Sequence, residues 1–387
     1  MKNCLIIAGE RSGEEHALSF LNEFIQKTPS LRLFGVGGDD MKALGVELLY
    51  HLKDFSGWGI SEVLTKIPFY LLAMKKILSE VKSRDCKMAI LIDFQEFNFQ
   101  LAKMLKKRGV AVFYYVAPQA WVWRSYRASV LGNIVHTLFT ILPFEKEWFS
   151  QRGVKNIKGV THPILKHYSQ ELSDDNDTQD TKDTFNILLL PGSRRHEVCN
   201  LLPQFISAIA SLKSDSDSDS SGTHIKKITT SLVIASSVNR KFYSYYENQI
   251  DKIYPQDELT TAIKHADLAL ASSGTVTLTT ALFKLPTVVC YKTSLFSELI
   301  YRYIVKYYGP VSLTNIIFNE MIFPEVLQNR LCCLNIKMQL KKFLTDSNYY
   351  LQIKNKLKLI RDLLAGDDFS TSQYLSEQIE KIYSYEN

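Results

Sequence analysis

Nine short apolar runs, rich in β-branched and aromatic residues, recur at 4–8, 33–36, 88–92, 110–116, 137–142, 187–190, 231–235, 268–271 and 287–291. Most are followed by a stretch whose apolar residues return at helical spacing. A strand buried on both faces reads as a continuous apolar run, and successive parallel strands need a crossover, usually a helix. The alternation therefore predicts an α/β chain of doubly wound parallel sheets with helices on both faces. With 387 residues, the chain exceeds what one hydrophobic core usually supports, so two such domains are expected. The break falls at 169–183, which is polar, acidic and without periodicity and reads as a linker between domains at 1–168 and 184–345. Residues 346–387 read as C-terminal helices, and the D-S-D-S-D-S-S string at 215–221 as a surface insertion.

Charge is uneven. Residues 171–183 carry six acids against one base and residues 213–219 three against one, so the net +6 leaves a body of +13. Such a body suits phosphates, polyanions or an anionic membrane surface. The longest mostly apolar stretch, 110–123, contains Pro118 and Gln119 and falls short of the roughly 18–20 residues that cross a bilayer. The opening MKNCLIIAGER has too short an apolar run for a signal peptide. A cytoplasmic protein is expected, its six cysteines reduced, since none forms a C-x-x-C pair.

Ligands of open α/β sheets bind beyond the carboxyl ends of strands. Leu190-Pro191-Gly192-Ser193-Arg194-Arg195 places two arginines in the first turn of a helix, where they oppose the helix dipole unless an anion binds. Ser272-Ser273-Gly274-Thr275 is a second small-residue turn at a strand end. Together they suit a diphosphate, with ordinary capped helices as the bland alternative. In the first half, Gly9-Glu10-Arg11-Ser12-Gly13 and Gly35-Val36-Gly37-Gly38 are glycine-rich turns, but neither satisfies G-x-G-x-x-G. Asp93 at the end of the 88–92 run is placed to serve as a general base or, equally, to cap the next helix. Trp121, Trp123 and Arg124 suit stacking on a sugar or base, or core packing. His162 and His167 lack a completing carboxylate, and D-S-D-S-D lies in the low-complexity insertion, so no metal site is expected. From Pro68 onward Tyr70, Met74, Ile77, Leu78 and Val81 share a helical face; Phe69, Leu71 and Leu72 lie off it, flanked by Lys66, Lys75 and Lys76, and suit a lipid interface or protein packing.

Taken in order, these strings resemble the lipid-A-disaccharide synthases. A-G-E-x-S-G-D matches residues 8–14 with Glu14 for the Asp, G-V-G-G matches 35–38, and M-G-x-x-E-V-L matches 58–64. Y-V-S-P-S-V-W-A-W-R matches 115–124, F-L-P-F-E matches 141–145, and L-P-G-S-R-x-x-E-V is intact at 190–198. S-G-T-x-T-L-E, V-S-L-P-N and P-E-x-L-Q match 273–279, 311–315 and 324–328. The family's I-D-A-P-D-F-N is here Ile92-Asp93-Phe94-Gln95-Glu96-Phe97-Asn98, Thr279 stands where the family has Glu, and Asn319-Glu320-Met321 where Gly-Arg-Glu is usual.

The resemblance implies two Rossmann-like domains facing a cleft, of the GT-B glycosyltransferase type, with a terminal helix that can pack back on the first domain. It implies an inverting transfer from UDP-2,3-diacylglucosamine to 2,3-diacylglucosamine 1-phosphate, peripheral on the inner face of the inner membrane, with no metal or other cofactor. The residues it singles out are Asp93, Glu10 and Arg194 as catalytic. Ser12, Gly13, Asn98, Trp123, Arg124, Gly192, Ser193, Ser273, Gly274, Thr275 and Asn315 would bind substrate, and Phe69, Leu71 and Leu72 would touch the membrane. No nucleic-acid partner is implied, and a homodimer is compatible. Two other readings share these turns: a different UDP-sugar transferase or epimerase, and a catalytically silent paralogue that binds lipid.

Overall fold

The computed structural model describes residues 2–55, 60–173, 184–218, 227–293, 307 and 309–384; of 60–65 and 216–218 it describes the backbone. The chain divides into two compact units, Met1–His167 with Leu364–Asn387, and Tyr168–Leu363. In the first, β1 (Lys2–Ala8), β2 (Leu31–Gly37), β3 (Glu47–His51), β4 (Met88–Ile92), β5 (Ala111–Tyr115), β6 (Thr137–Thr140) and β7 (Ile157–Gly159) form one sheet. Its order is β3-β2-β1-β4-β5-β6-β7. In the second, β8 (Thr184–Leu190), β9 (Lys227–Ile234), β10 (Lys252–Pro255), β11 (Leu268–Ser272), β12 (Thr287–Tyr291) and β13 (Glu325–Leu327) pair in the order β10-β9-β8-β11-β12-β13. All pairings are parallel.

The nine apolar runs are the nine interior strands. The four strands without such a run, β3, β7, β10 and β13, are the sheet edges. Edge strands are short and half solvated: β7 has three residues, none fully buried, so no continuous apolar signal is required of it.

The sheet of the first unit is covered on both faces. One face holds Leu5, Ile7, Phe34, Leu91 and Tyr114 under the helices Ile60–Ser83 and Gln95–Lys106. The other holds Cys4, Ile6, Ile90, Phe113 and Tyr115 under Arg11–Lys27 and the last helix, Thr371–Ser384, which buries Leu375 and Ile379 there. The segment 346–387 thus divides. Ser347–Leu357 packs against Cys333–Thr345 in the second unit, whereas Thr371–Ser384 lies on Arg11–Lys27 in the first. Of the expected linker, Ser169–Ser173 is helical, because Leu172 finds a buried place; 174–183 lie outside the described residues. Of the insertion expected at 215–221, residues 215–218 instead complete the helix Arg195–Ser218, and 219–221 lie outside the described residues, as do Trp58 and Gly59 of the third matching string.

One glycine fixes how closely β2 can approach β1. Gly35 has φ +152°, and a Cβ on it would lie 1.9 Å from the Ile6 carbonyl oxygen, inside the ladder. Gly35→Ala is therefore expected to cost about 3 kcal/mol or more, seen as a fall in the denaturation midpoint. A midpoint within experimental error of the native chain would show that β2 is not held at this spacing.

Candidate active site

In a doubly wound sheet a crevice opens where the strand order reverses. In the first unit that point lies between β1 and β4; Glu10 and, in the first turn of the helix Arg11–Lys27, Ser12 follow β1, and Asp93 follows β4. Ser12 donates its hydroxyl to Asp93 Oδ2 at 3.2 Å. Asp93 and Phe94 both sit in the left-handed region with φ 48°, a conformation costing of order 1–2 kcal/mol per residue outside glycine. Three hydrogen bonds hold the turn: Asp93 N–H to the Tyr115 carbonyl at 2.9 Å, and the Asn98 amide to the carbonyls of Asp93 at 2.8 Å and Ile92 at 3.1 Å. Phe94 lies over Gly9, where a Cβ would come within 2.4 Å of the ring, so the loop after β1 must be bare there. Burial, reinforced by Asp93, pushes the Glu10 carboxyl above its ordinary range.

The cleft beside this pair encloses about 890 Å³. Glu10, Arg11, Ser12, Asp93, Gln95 and Glu96 supply its polar lining, and Phe55, Ile67, Tyr70, Leu71, Met74, Phe94 and Phe97 an apolar one. Of the side chains assigned to a membrane contact, Phe69 turns inward, its ring 5.2 Å from Phe55 and 5.7 Å from Tyr50. Leu71 and Leu72 remain exposed, at 56% and 63%, beside exposed Ile67. The apolar lining escaped the sequence reading because Tyr70 and Met74 also satisfy a core stripe at helical spacing.

Two site assignments in this unit become supports. Gly13 packs the helix start onto β4, with a Cβ position 3.4 Å from the Ile92 carbonyl. Asn98 is fully buried and spends its amide on the backbone of the Asp93 turn. Glu14 is also fully buried; its carboxylate accepts the N–H groups of Gly38 at 2.9 Å and Met41 at 3.0 Å and so joins the two glycine-rich turns. Arg124 stacks on Trp123 at 3.8 Å and reaches Glu96 at 3.0 Å, while Arg127 grips the same carboxylate with two bonds of 2.7 Å. Trp121 instead donates its indole N–H to buried Glu145 at 3.1 Å.

The second unit repeats the plan at β8 and β11. Gly192 has φ +112°, and Glu197 folds back to accept the N–H groups of Ser193 at 3.0 Å and Arg194 at 3.2 Å. Those two donors are satisfied internally, and the exposed Arg194 guanidinium lies 3.7 Å from the same Glu197 carboxylate. At the other turn no side chain caps the helix Thr275–Leu282, and Gly274 faces open space. Ser273 is less free, donating to the Val311 carbonyl at 3.1 Å. Asn315, assigned to the nucleotide, is fully buried: its amide reaches the Phe323 carbonyl and Glu325 Oε1, both at 2.8 Å, and its oxygen takes the Phe323 N–H at 2.8 Å. It shapes the loop, with its amide hydrogens spent inside it.

A cleft of about 770 Å³ at the carboxyl ends of β9 and β10 went unread in the sequence. Ile234, Tyr254 and Pro255 line it with Ser236, Arg240, Gln256 and Asp257. Ser236 bonds Gln256 Oε1 at 2.7 Å, and neighbouring Ser237 donates to the Ser193 carbonyl at 2.7 Å, tying this rim to the Gly192–Arg194 turn. Serine, glutamine and proline at strand ends carry no pattern that separates them from an ordinary turn.

A family model described as lipid-A-disaccharide synthetase matches residues 4–380. The chain belongs to the lipid-A-disaccharide synthase family. A lipid-A-disaccharide synthase of Syntrophus aciditrophicus is 32% identical over 372 residues, 94% of either chain. One from Francisella philomiragia is 31% identical and covers 97% of this chain and 98% of its own. As a lipid-A-disaccharide synthase homologue the protein is a glycosyltransferase of lipid A biosynthesis. Solved structures bear out the fold. The S. aureus MnaA-UDP co-structure superposes with a TM-score of 0.59 at 13% identity, covering 99% of this chain and 97% of that one. CalG4, the calicheamicin glycosyltransferase, gives 0.55 at 11% identity, covering 100% and 99%. No helix among the described residues is long and apolar enough to cross a membrane.

Burial pushes the Glu145 carboxyl up to about 7 from an ordinary 4.5, against the bonds from Leu142 and Trp121. The folded state therefore binds this proton more tightly than the unfolded chain. Its stabilising contribution is fully present below pH 4.5 and is lost as pH rises through 7, a swing on the order of 3 kcal/mol. Glu145→Gln should then gain melting temperature relative to the native chain between pH 5 and pH 8. A constant gap across that range would show that the carboxyl is not held protonated.

Proposed function

We propose that the chain transfers 2,3-diacylglucosamine from its UDP derivative to the 6-hydroxyl of 2,3-diacylglucosamine 1-phosphate, releasing UDP with inversion at the anomeric carbon. The observation that carries this reading is the position of Asp93, at the polar end of a cleft whose remaining wall is apolar. A sugar hydroxyl beside the carboxylate and acyl chains along Phe55, Ile67, Tyr70, Leu71 and Met74 satisfy both parts of that cleft at once.

In the proposed step Asp93 takes the proton of the 6-hydroxyl, the oxygen attacks the donor's anomeric carbon, and the bond to the UDP oxygen breaks with its electron pair. Ser12 fixes the carboxylate through its bond to Oδ2. Raised Glu10, beside Asp93, is suited to hold a proton and bond a sugar oxygen. Arg194 and the uncapped N–H groups at Gly274 and Thr275 offset the charge that grows on the departing diphosphate. The cleft at β9 and β10 suits the nucleoside. Exposed Leu71 and Leu72 with the +13 body suit peripheral contact with the inner leaflet.

The test is UDP release by the purified chain in detergent micelles, with both lipid substrates and with each alone, EDTA present throughout. Release with both lipids is expected. Asp93→Asn should lower turnover about 10²–10⁴-fold with UDP binding unchanged. Near-native turnover would pass the base role to Glu10, since Glu96 is committed to Arg124 and Arg127. Retained UDP binding without release from either lipid pair would favour a different donor, and loss of both a silent lipid-binding role, to which Thr279 in place of the family's Glu points.

A further inference from the structure

The helices Cys333–Thr345 and Ser347–Leu357, in the second unit, carry an inference that rests on the substrates being lipids. Residues 333–358 hold six lysines against one acid, Asp346. The first helix turns Ile336, Leu340 and Phe343 into the core. Leu334, Met338, Lys341 and Lys342, at i, i+4, i+7 and i+8, share its opposite face and are all exposed. Leu334 and Met338 are 61% and 58% exposed, and Leu351 and Leu359, on and after the second helix, 48% and 55%.

Part of the positive charge is already engaged. Lys337 pairs with Asp215 at 2.7 Å, Lys341 lies in the field of that aspartate, and Lys356 pairs with Glu320. Lys342 covers the Tyr349 ring at 3.6 Å, and neither it nor Lys358 is in an ion pair among the described residues.

We propose that this face docks on an anionic lipid bilayer, its leucine and methionine side chains entering the headgroup boundary while the lysines meet lipid phosphates. Long lysine stems lie along an apolar surface with the ammonium in the headgroup layer, which suits alternating Lys and Leu or Met. A nucleic acid fits less well. Four exposed aliphatic side chains have no partner on a phosphate backbone, and the nearby rings give no stacking platform, with Tyr349 under Lys342 and Tyr350 donating to the Asp267 carbonyl at 2.9 Å. The face would give the second unit a hold on the membrane separate from Leu71 and Leu72 in the first.

The test is co-sedimentation of the full chain with vesicles of phosphatidylcholine, pure or with one third phosphatidylglycerol. The variants are Lys341→Glu with Lys342→Glu, Leu334→Ser with Met338→Ser, and Leu71→Ser with Leu72→Ser; thermal melts verify folding. The charge reversal is expected to lower partitioning onto anionic vesicles about tenfold, and the binding it removes should be the salt-sensitive part. The Leu334 and Met338 pair should weaken binding at high salt as well, and micellar turnover should stay native in both. Partitioning unchanged in both variants overturns the proposal, as does a loss confined to binding of a single-stranded oligonucleotide or an acidic protein. If the wild type docks through this face yet never turns over the lipid pair in micelles, the assigned reaction fails and the docking face stands.

Discussion

Every strand in both units runs parallel to its neighbours, and the rest of the molecule follows from that constraint. Parallel strands cannot be joined by tight turns, so each connection crosses a face of the sheet as a helix or loop. Because the order runs outward from β1 and β8 in both directions, each sheet has one place where adjacent loops diverge. Asp93 with Ser12 occupies that place in the first unit, and Arg194 with Gly274 and Thr275 flanks it in the second.

Backbone turns expose N–H groups, and buried or half-buried carboxylates satisfy them. Glu14 serves Gly38 and Met41, Glu197 serves Ser193 and Arg194, and Glu325 serves Val311 and Ser312. A charge so placed is tolerable because several N–H donors replace its water. The consequence at Gly192–Arg194 is chemical. With two backbone donors already committed, an anion there depends on the guanidinium and on the uncapped helix start across the sheet. In the first unit the investment is in strain: two successive left-handed residues are held by Asn98 and Tyr115 so that the carboxylate of Asp93 meets Ser12 at the cleft.

The likeness to the MnaA-UDP co-structure and to CalG4, at low identity, reflects the same scaffold, on which differing chemistry is grafted at the loops. Beside Asp93 the cleft of this chain has an apolar wall. Phe94, where the family pattern has Ala, fills the space over Gly9 and joins Phe55, Tyr70 and Phe97 in one aromatic cluster. The departure from the pattern thus enlarges the apolar lining and leaves the carboxylate in place.

Apolar periodicity determined the nine interior strands, and the turn strings determined where Asp93, Ser12, Arg194 and Gly274 lie, because buried strands and their exits obey local rules. Edge strands β3, β7, β10 and β13 were decided by neighbours, since a strand paired on one side need not be apolar throughout. The same holds for side-chain direction. Asn98, Asn315 and Gly13 share the family strings with Asp93, Arg194 and Gly274, yet packing commits them to the fold: the two amide groups bond backbone carbonyls, and Gly13 lets the helix start approach the Ile92 carbonyl. Phe69 and Leu71 are near neighbours on one helix of apolar character. Only the aromatic cluster around Phe55 decides that the first packs half-buried against it and the second lines the cleft.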